Sequence, residues 1–390
     1  MAVMLPPAPW RERNDLAALI AALGPGQVRY VGGAVRDTLL GLPVKDIDLA
    51  IPLEPKEVMR RLKAHAITVI PTGIDHGTVT AVLKQGPVEI TTLRHDVSTD
   101  GRRATVAFAS DWQEDAARRD FTINALYADP DSGAVSDYFG GLDDLAARRV
   151  RFIGDARQRI REDHLRILRY FRFQARFGSQ PADAEAESAV SELAATLKGL
   201  SRERVGMEMM NLLGLPDPAA TIARMAELGV LAVILPEADV AALTALIGEE
   251  RRQGAAPEAL RRLAALLPPD AALAEAVASR FRLSGAQKKR LALAAGRNAA
   301  PADPRALAYR LGHEPALDRL LLTGASTAPL RDWDIPIFPL KGGEIVARGV
   351  KAGPEVARVL RTVEDRWIAA GFPGAEAVAR LLTAALAEQA

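Results

Sequence analysis

The chain has no cysteine. That excludes disulfides and thiolate metal sites, and it fits a reducing compartment such as the cytoplasm. No apolar run approaches the length needed to span a bilayer, so no membrane segment is expected. The opening stretch MAVMLPPAPWRER lacks the apolar centre of a secretory signal, and its prolines work against one. An excess of charge of either sign is also missing. The formal net charge is +1, which gives no global sign of a nucleic-acid partner. His65, His76, His95, His164 and His313 stand singly, so there is no His-Asp metal motif. What remains is a composition of 49% hydrophobic and 25% charged residues, which places the chain among soluble globular proteins and not disordered ones. Its 390 residues exceed one ordinary core and suggest roughly two to four domains.

Against that even background one stretch stands out, Tyr30 to Ile51, YVGGAVRDTLLGLPVKDIDLAI. It reads as strand, glycine turn, short helix and second strand. Asp46 and Asp48 stand two apart on that second strand, so both side chains leave one face while Ile47 and Leu49 point into a core. Two neighbouring carboxylates repel unless a cation lies between them, and with oxygen donors only, Mg²⁺ is the natural candidate. Gly32 and Gly33 let the backbone approach a bulky anion. The amides opening the next helix favour phosphate, and Arg36 adds a fixed charge one turn in. Taken singly, each feature has an ordinary structural reading: a solvated DxD, a plain turn, a decorated helix face. Charge is also clustered: ten arginines between Arg148 and Arg176 face only Asp155, Glu162 and Asp163.

The combination GGAVRD followed by DID resembles the signature of the nucleotidyltransferase superfamily. The branch is that of class II CCA-adding tRNA nucleotidyltransferases and bacterial poly(A) polymerases. RRDFTINAL (118–126) is similar to that family's second motif, with Arg118 and Arg119 placed for phosphates and Asp120 a helix cap. DYFGGLDDLAARRVRFIGD (137–155) resembles its third, and SRERVGMEMMNLL (201–213) its fifth. In that last stretch Ser201 reads as an N-cap, and Arg204 and Glu208 as braces of the neck. Residues 157–177 read as one long helix with an apolar stripe at Ile160, Leu165, Leu168, Phe171 and Phe173. On it Glu162, Asp163 and Arg166 match the EDxxR motif, which the resemblance implies reads the incoming base. Arg169 and Arg172 would suit phosphates or the RNA end. An Asp–Arg pair on a helix surface is otherwise a common minor stabiliser.

The rest of the head follows in order. An amphipathic helix over 12–23 leads to a strand at 27–31, and Pro55 starts a helix running to about Lys63. Strand-like runs follow at ITVIP, GTVTAVL and VEITTLR, with a hairpin turn at Gln85-Gly86-Pro87. Glu89 lies mid-strand beside the DID strand and is a candidate third carboxylate. Val97–Ala107 reads as a polar surface loop with a turn at Asp100-Gly101; the resemblance implies a mobile loop needed for the final adenosine. After residue 213 the sequence is alanine- and leucine-rich helix with breaks at 214–218, 253–257 and 268–269. Residues 334–367 resemble the family's C-terminal segment, with Gly349 and Gly353 around a helix–turn–helix.

The expected architecture is therefore α+β and multidomain: an α/β head with a polymerase-type palm, then an all-α neck, body and tail. The boundaries are 1–150 (head), 151–210 (neck), 211–330 (body) and 331–390 (tail, touching tRNA). The resemblance implies template-independent addition of CCA to tRNA from CTP and ATP. Asp46 and Asp48 would hold Mg²⁺, and Gly33, Arg36, Arg119, Asp163, Arg166, Arg169 and Arg172 the nucleotide. No membrane or obligate protein partner is expected. Rival activities are a poly(A) polymerase and a CC-adding or A-adding enzyme; a long basic C-terminal extension is missing, which weighs against poly(A). A rival of another class is an RNA-binding or regulatory protein with an inactive head.

Overall fold

A computed structural model of the chain describes residues 3–100, 103–108, 111–297 and 302–388, with backbone alone at 95–100 and 103–108. It divides into two compact units, Met1–Ala238 and Asp239–Ala390. In the first, helix α1 (Asn14–Leu23) buries Leu16, Leu19 and Leu23 on one face and stops at Gly24, whose φ of 105° suits glycine. Strand β1 (Arg29–Val31) then turns through Gly32, φ 65°, into α2 (Gly33–Leu39). β2 (Asp48–Ile51) and α3 (Pro55–Ala64) follow, the latter with proline at its start. The three strand-like runs become β3 (Thr68–Gly73), β4 (Thr78–Leu83) and β5 (Gly86–Thr92).

Strands β6 (Arg94–Asp100) and β7 (Arg103–Phe108) pair with each other as a separate antiparallel ribbon. The expected polar loop over 97–107 is thus corrected to a two-stranded ribbon; Gly101 of its anticipated turn lies outside the described residues. Helix α4 (Trp112–Ala117), strands β8 (Leu126–Ala128) and β9 (Val135–Asp137) and helix α5 (Gly141–Ala146) complete the head. The main sheet has seven strands in the order β3-β4-β5-β2-β1-β8-β9, and β2 and β5 run parallel within it. A parallel pair needs a crossover. Here α3 and the β3–β4 hairpin supply it, so that Asp48 comes to lie beside Glu89.

The single helix expected at 157–177 is two, α6 (Ala156–Glu162) and α7 (Arg166–Phe177). Asp163 breaks the path with extended backbone, φ −152° and ψ 104°. Its carboxylate accepts from the Leu165 amide at 3.1 Å, the competition with helical hydrogen bonding that short acidic side chains favour. The apolar stripe is nonetheless buried at every named position. Helices α8 (Ala184–Glu192), α9 (Arg202–Leu213), α10 (Ala219–Glu227) and α11 (Val230–Ile234) end this unit. Ser201 precedes α9 but makes no side-chain cap bond, unlike its expected role.

The second unit is helical in its described residues. α12 (Val240–Gln253), α13 (Ala259–Leu266), α14 (Ala271–Arg280), α15 (Gly285–Ala295), α16 (Pro304–Leu311) and α17 (His313–Leu322) come first. Then come α18 (Gly342–Val346), α19 (Pro354–Ala369) and α20 (Ala375–Ala387). Gly349 and Gly353, with φ of 97° and 139°, make the turn from α18 to α19. Around Trp367 a core gathers Ile345, Val359, Val363, Val378 and Leu382. No helix among the described residues is long and apolar enough to cross a membrane.

Candidate active site

Strand β2 begins at Asp48, so Asp46 stands just before it and not on it, a correction to the two-on-one-strand expectation. The pleat continues back far enough that the Glu89 amide donates to the Ile47 carbonyl at 3.2 Å. Ile47 and Leu49 are buried, Asp48 is half-buried and Asp46 is exposed. Burial pushes the Asp48 carboxyl up to about 6, helped by Glu89 and Asp46 and opposed by the Arg119 charge. Among the described residues neither aspartate forms a hydrogen bond or ion pair. No group of three or more His, Asp or Glu side chains is arranged to hold a metal ion among them either, so Glu89 stands beside the pair as a neighbouring charge. Two crowded oxygen-donor carboxylates without protein donors fit a hard divalent cation as their missing partner.

The glycine turn lies close by. A Cβ added at Gly32 would stand 3.6 Å from Arg119 Nη1 and from the Asn124 carbonyl, so the turn and this arginine are immediate neighbours. Gly33 opens α2 with open space beyond Arg36 Nη2. Arg36 itself is 5% exposed. Its Nε donates to Asp37 at 2.7 Å, its Nη1 bonds the Asn124 side chain, and its guanidinium stacks over Phe177 at 4.1 Å. The structure therefore packs Arg36 inside the head, and a direct phosphate contact would require trading those bonds. Asp120 caps no helix. One oxygen accepts from the Phe121 amide and Asn124 Nδ2, and the other accepts from Arg169 Nε at 2.8 Å. Although burial opposes it, the charges of Arg169 and Arg166 and the Asn124 bond hold Asp120 at about 2.

Asp163 and Arg166 do not pair with each other. Asp163 Oδ2 accepts from Arg204 Nη2 at 2.6 Å. Arg166 Nη1 donates to Glu162 at 2.6 Å and to the Arg159 carbonyl at 2.8 Å, and Nη2 reaches the Arg118 carbonyl at 3.2 Å. Both side chains retain partial exposure. Arg169 is bound by Asp120, and Arg172 by Glu208 at 2.6 Å, so neither is a free cation. The arrangement brings Asp46, Asp48, Arg119 and the Gly32 turn to one end of the sheet and anchors Arg166 to the backbone beside Arg119. Sequence reasoning missed Asp115, Asn124 and Tyr127. Asp115 had a visible signal, standing three and four residues before Arg118 and Arg119. Asn124 stands four residues after Asp120, which it bonds, but its Arg36 partner comes from α2, and Tyr127 had no local signal.

Residues 28–151 match the Poly A polymerase head domain, and residues 183–241 the Probable RNA and SrmB- binding site of polymerase A. The chain is 36% identical over 362 residues to the mitochondrial CCA tRNA nucleotidyltransferase 1 of Danio rerio, spanning 87% of this chain and 83% of that protein. The Homo sapiens mitochondrial CCA tRNA nucleotidyltransferase 1 is 33% identical over 365 residues, 89% and 84% of the two chains. Among solved structures, the Bacillus stearothermophilus CCA-adding enzyme in complex with CTP superposes with a TM-score of 0.74 at 27% identity, covering 96% of this chain and 98% of that one.

Proposed function

The chain belongs to the family of CCA-adding tRNA nucleotidyltransferases, and we propose that it adds C, C and A to the 3′ end of tRNA through the residues described above. The RNA 3′-hydroxyl oxygen attacks the α-phosphorus of CTP or ATP, the bond to the β-phosphate breaks, and pyrophosphate leaves. Asp46 and Asp48 are the residues that would hold Mg²⁺, and a divalent ion held there would lower the pKa of the attacking hydroxyl and offset charge on the departing phosphates. Arg119 and the backbone at Gly32 and Gly33 receive the triphosphate. Arg36 contributes from behind by fixing Asp37 and Asn124.

Asp163 and Arg166 read the base. Cytosine and adenine each offer an amine donor beside an unprotonated ring nitrogen; Asp163 accepts from the first and Arg166 donates to the second. Guanine and uracil reverse that polarity and leave both side chains mispaired, which discriminates by roughly 1–3 kcal/mol per bidentate contact. Arg169 and Arg172 lie on the same helix and support it, and their outer edges serve the RNA end. The head, neck, body and tail are assigned to 1–150, 151–210, 211–330 and 331–390. A cytoplasmic site suits the cysteine-free composition.

The observation that carries this reading is the pair Asp46 and Asp48, without protein donors, next to Arg119 and a left-handed glycine turn. The test supplies tRNA ending before CCA, after the first C or after CC, with CTP and ATP alone or mixed, and resolves products to single nucleotides. Completion to CCA and arrest there is the expected result. Long adenosine tails on generic RNA would instead make the chain a poly(A) polymerase.

A further inference from the structure

Asp115 plays no part in the reading above, although it is 1% exposed and sits on the short helix α4 just ahead of Arg119. Its oxygens accept from Arg118 Nε at 2.8 Å, Arg119 Nη2 at 3.1 Å, the Tyr127 hydroxyl at 2.6 Å and the Arg94 amide at 3.3 Å. The Tyr127 oxygen in turn accepts from Arg119 Nε at 3.1 Å. Nε and Nη2 form one edge of a guanidinium, so Asp115 and Tyr127 together occupy that edge. The opposite end is Nη1. It has no acceptor among the described residues and lies 3.6 Å from where a Gly32 Cβ would stand.

We propose that Asp115 is a positioning residue for nucleotide binding: it holds one edge of Arg119 so that the other end faces phosphates seated at the Gly32–Gly33 turn. This rests on Arg119 being a triphosphate ligand. A free arginine samples many rotamers, and fixing it beforehand removes that ordering cost from the binding step. Burial pushes the Asp115 carboxyl up, but the charges of Arg119 and Arg118 and the Tyr127 bond outweigh it and hold the group at about 2. The clamp therefore stays charged at any pH where the protein works. Because the triphosphate is common to all nucleotides, Asp115 acts equally on CTP and ATP and has no hand in base choice.

The experiment uses the full chain with Asp115→Asn, Arg119→Ala and the double variant. It measures kcat, the KM for CTP, ATP and tRNA, and the Ki of inorganic tripolyphosphate against CTP. Asp115→Asn raises the KM for CTP and for ATP and the tripolyphosphate Ki together by about ten-fold, the scale of one lost preorganised contact. It leaves the tRNA KM and the preference for CTP over UTP unchanged. In the Arg119→Ala background it adds nothing further. A raised Ki in Arg119→Ala with an unchanged Ki in Asp115→Asn overturns the proposal and leaves Asp115 a purely structural group. If Arg119→Ala itself leaves that Ki unchanged, the triphosphate role of Arg119 fails first and the proposal falls with it. Should Asp115→Asn fail to fold, Tyr127→Phe removes the same brace more gently. The Ki then rises about three-fold, and an unchanged Ki refutes the clamp.

Discussion

Asp48 carries a conflict between stability and reactivity. Its ordinary value of 3.8 is raised to about 6, chiefly by burial and then by Glu89. A carboxyl raised in the folded state costs nothing below its unfolded pKa. The penalty grows as pH climbs from 3.8 toward about 6 and is complete above it. Asp48→Asn should therefore stabilise the metal-free protein by roughly 1–3 kcal/mol at pH 8 and by little at pH 4, while abolishing nucleotide incorporation. Thermal unfolding in EDTA at both pH values checks this. A variant no more stable than wild type at pH 8 would mean that neither burial nor the neighbouring charges strain the carboxylate. Below pH 6 the proton also competes with the cation, so the apparent Mg²⁺ affinity should fall by about ten-fold per pH unit. Tyr170 presents a simpler case. Its buried hydroxyl has no hydrogen-bond partner among the described residues, and burial pushes its pKa up. Tyr170→Phe should leave stability unchanged or raise it by up to about 1 kcal/mol. A clear loss in urea midpoint would reveal a partner for that hydroxyl, such as ordered water.

Helices α7 and α9 meet through charge as well as apolar packing. Arg172 is bound by Glu208, which is 3% exposed, and Arg204 reaches across to Asp163. Arg172→Ala would leave the buried Glu208 carboxylate with only the longer 3.8 Å contact to Arg169, at a cost of about 1–3 kcal/mol. Adding Glu208→Leu should recover most of that loss. A variant that keeps its denaturation midpoint but loses tRNA affinity would leave Arg172 its role at the RNA end and remove its role in stability. The sequence carried Arg172, Glu208 and Arg204 in plain view, yet not their partnerships. Helical spacing predicts neighbours three and four residues away, whereas Glu208 and Arg172 are joined only by tertiary packing. The same limit hid the break in the 157–177 helix. Its apolar stripe is continuous and only the capture of Asp163 by Arg204 and the Leu165 amide interrupts the backbone. What was legible were the features written locally: the glycine turn, the alternation at Ile47 and Leu49, proline at the start of α3, and the Pro and Gly breaks that separate α9 from α10 and α12 from α13. The ribbon β6–β7 was misread because polar residues with a turn signal describe a solvated hairpin as well as a loop.

The arginine-rich stretch has a different meaning in the folded molecule than in the linear one. Of the ten arginines from Arg148 to Arg176, eight are held in ion pairs within the first unit, by Asp144, Glu192, Glu162, Asp120, Glu208 and Asp37. Five of those six acidic partners, all but Glu162, come from outside the stretch, which is why a local charge count overstates its free positive charge. Every residue assigned to nucleotide binding, and every partner that holds it, lies before Ala238, where the first compact unit ends. That unit has its own sheet and its own buried aromatic centre of Phe121, Phe152, Tyr170 and Phe173. Nucleotide choice should accordingly be complete within residues 1–238. Expressed alone, this segment should unfold cooperatively and bind CTP within about three-fold of the full chain, with the same preference over UTP. Its extension of tRNA should show a raised KM, as expected if residues beyond 238 touch tRNA as proposed. Calorimetric titration with CTP and UTP, beside primer extension on tRNA lacking its end, measures both. A folded segment that binds CTP no better than UTP would place part of base selection in residues 239–390 and sever the link between Asp163, Arg166 and specificity.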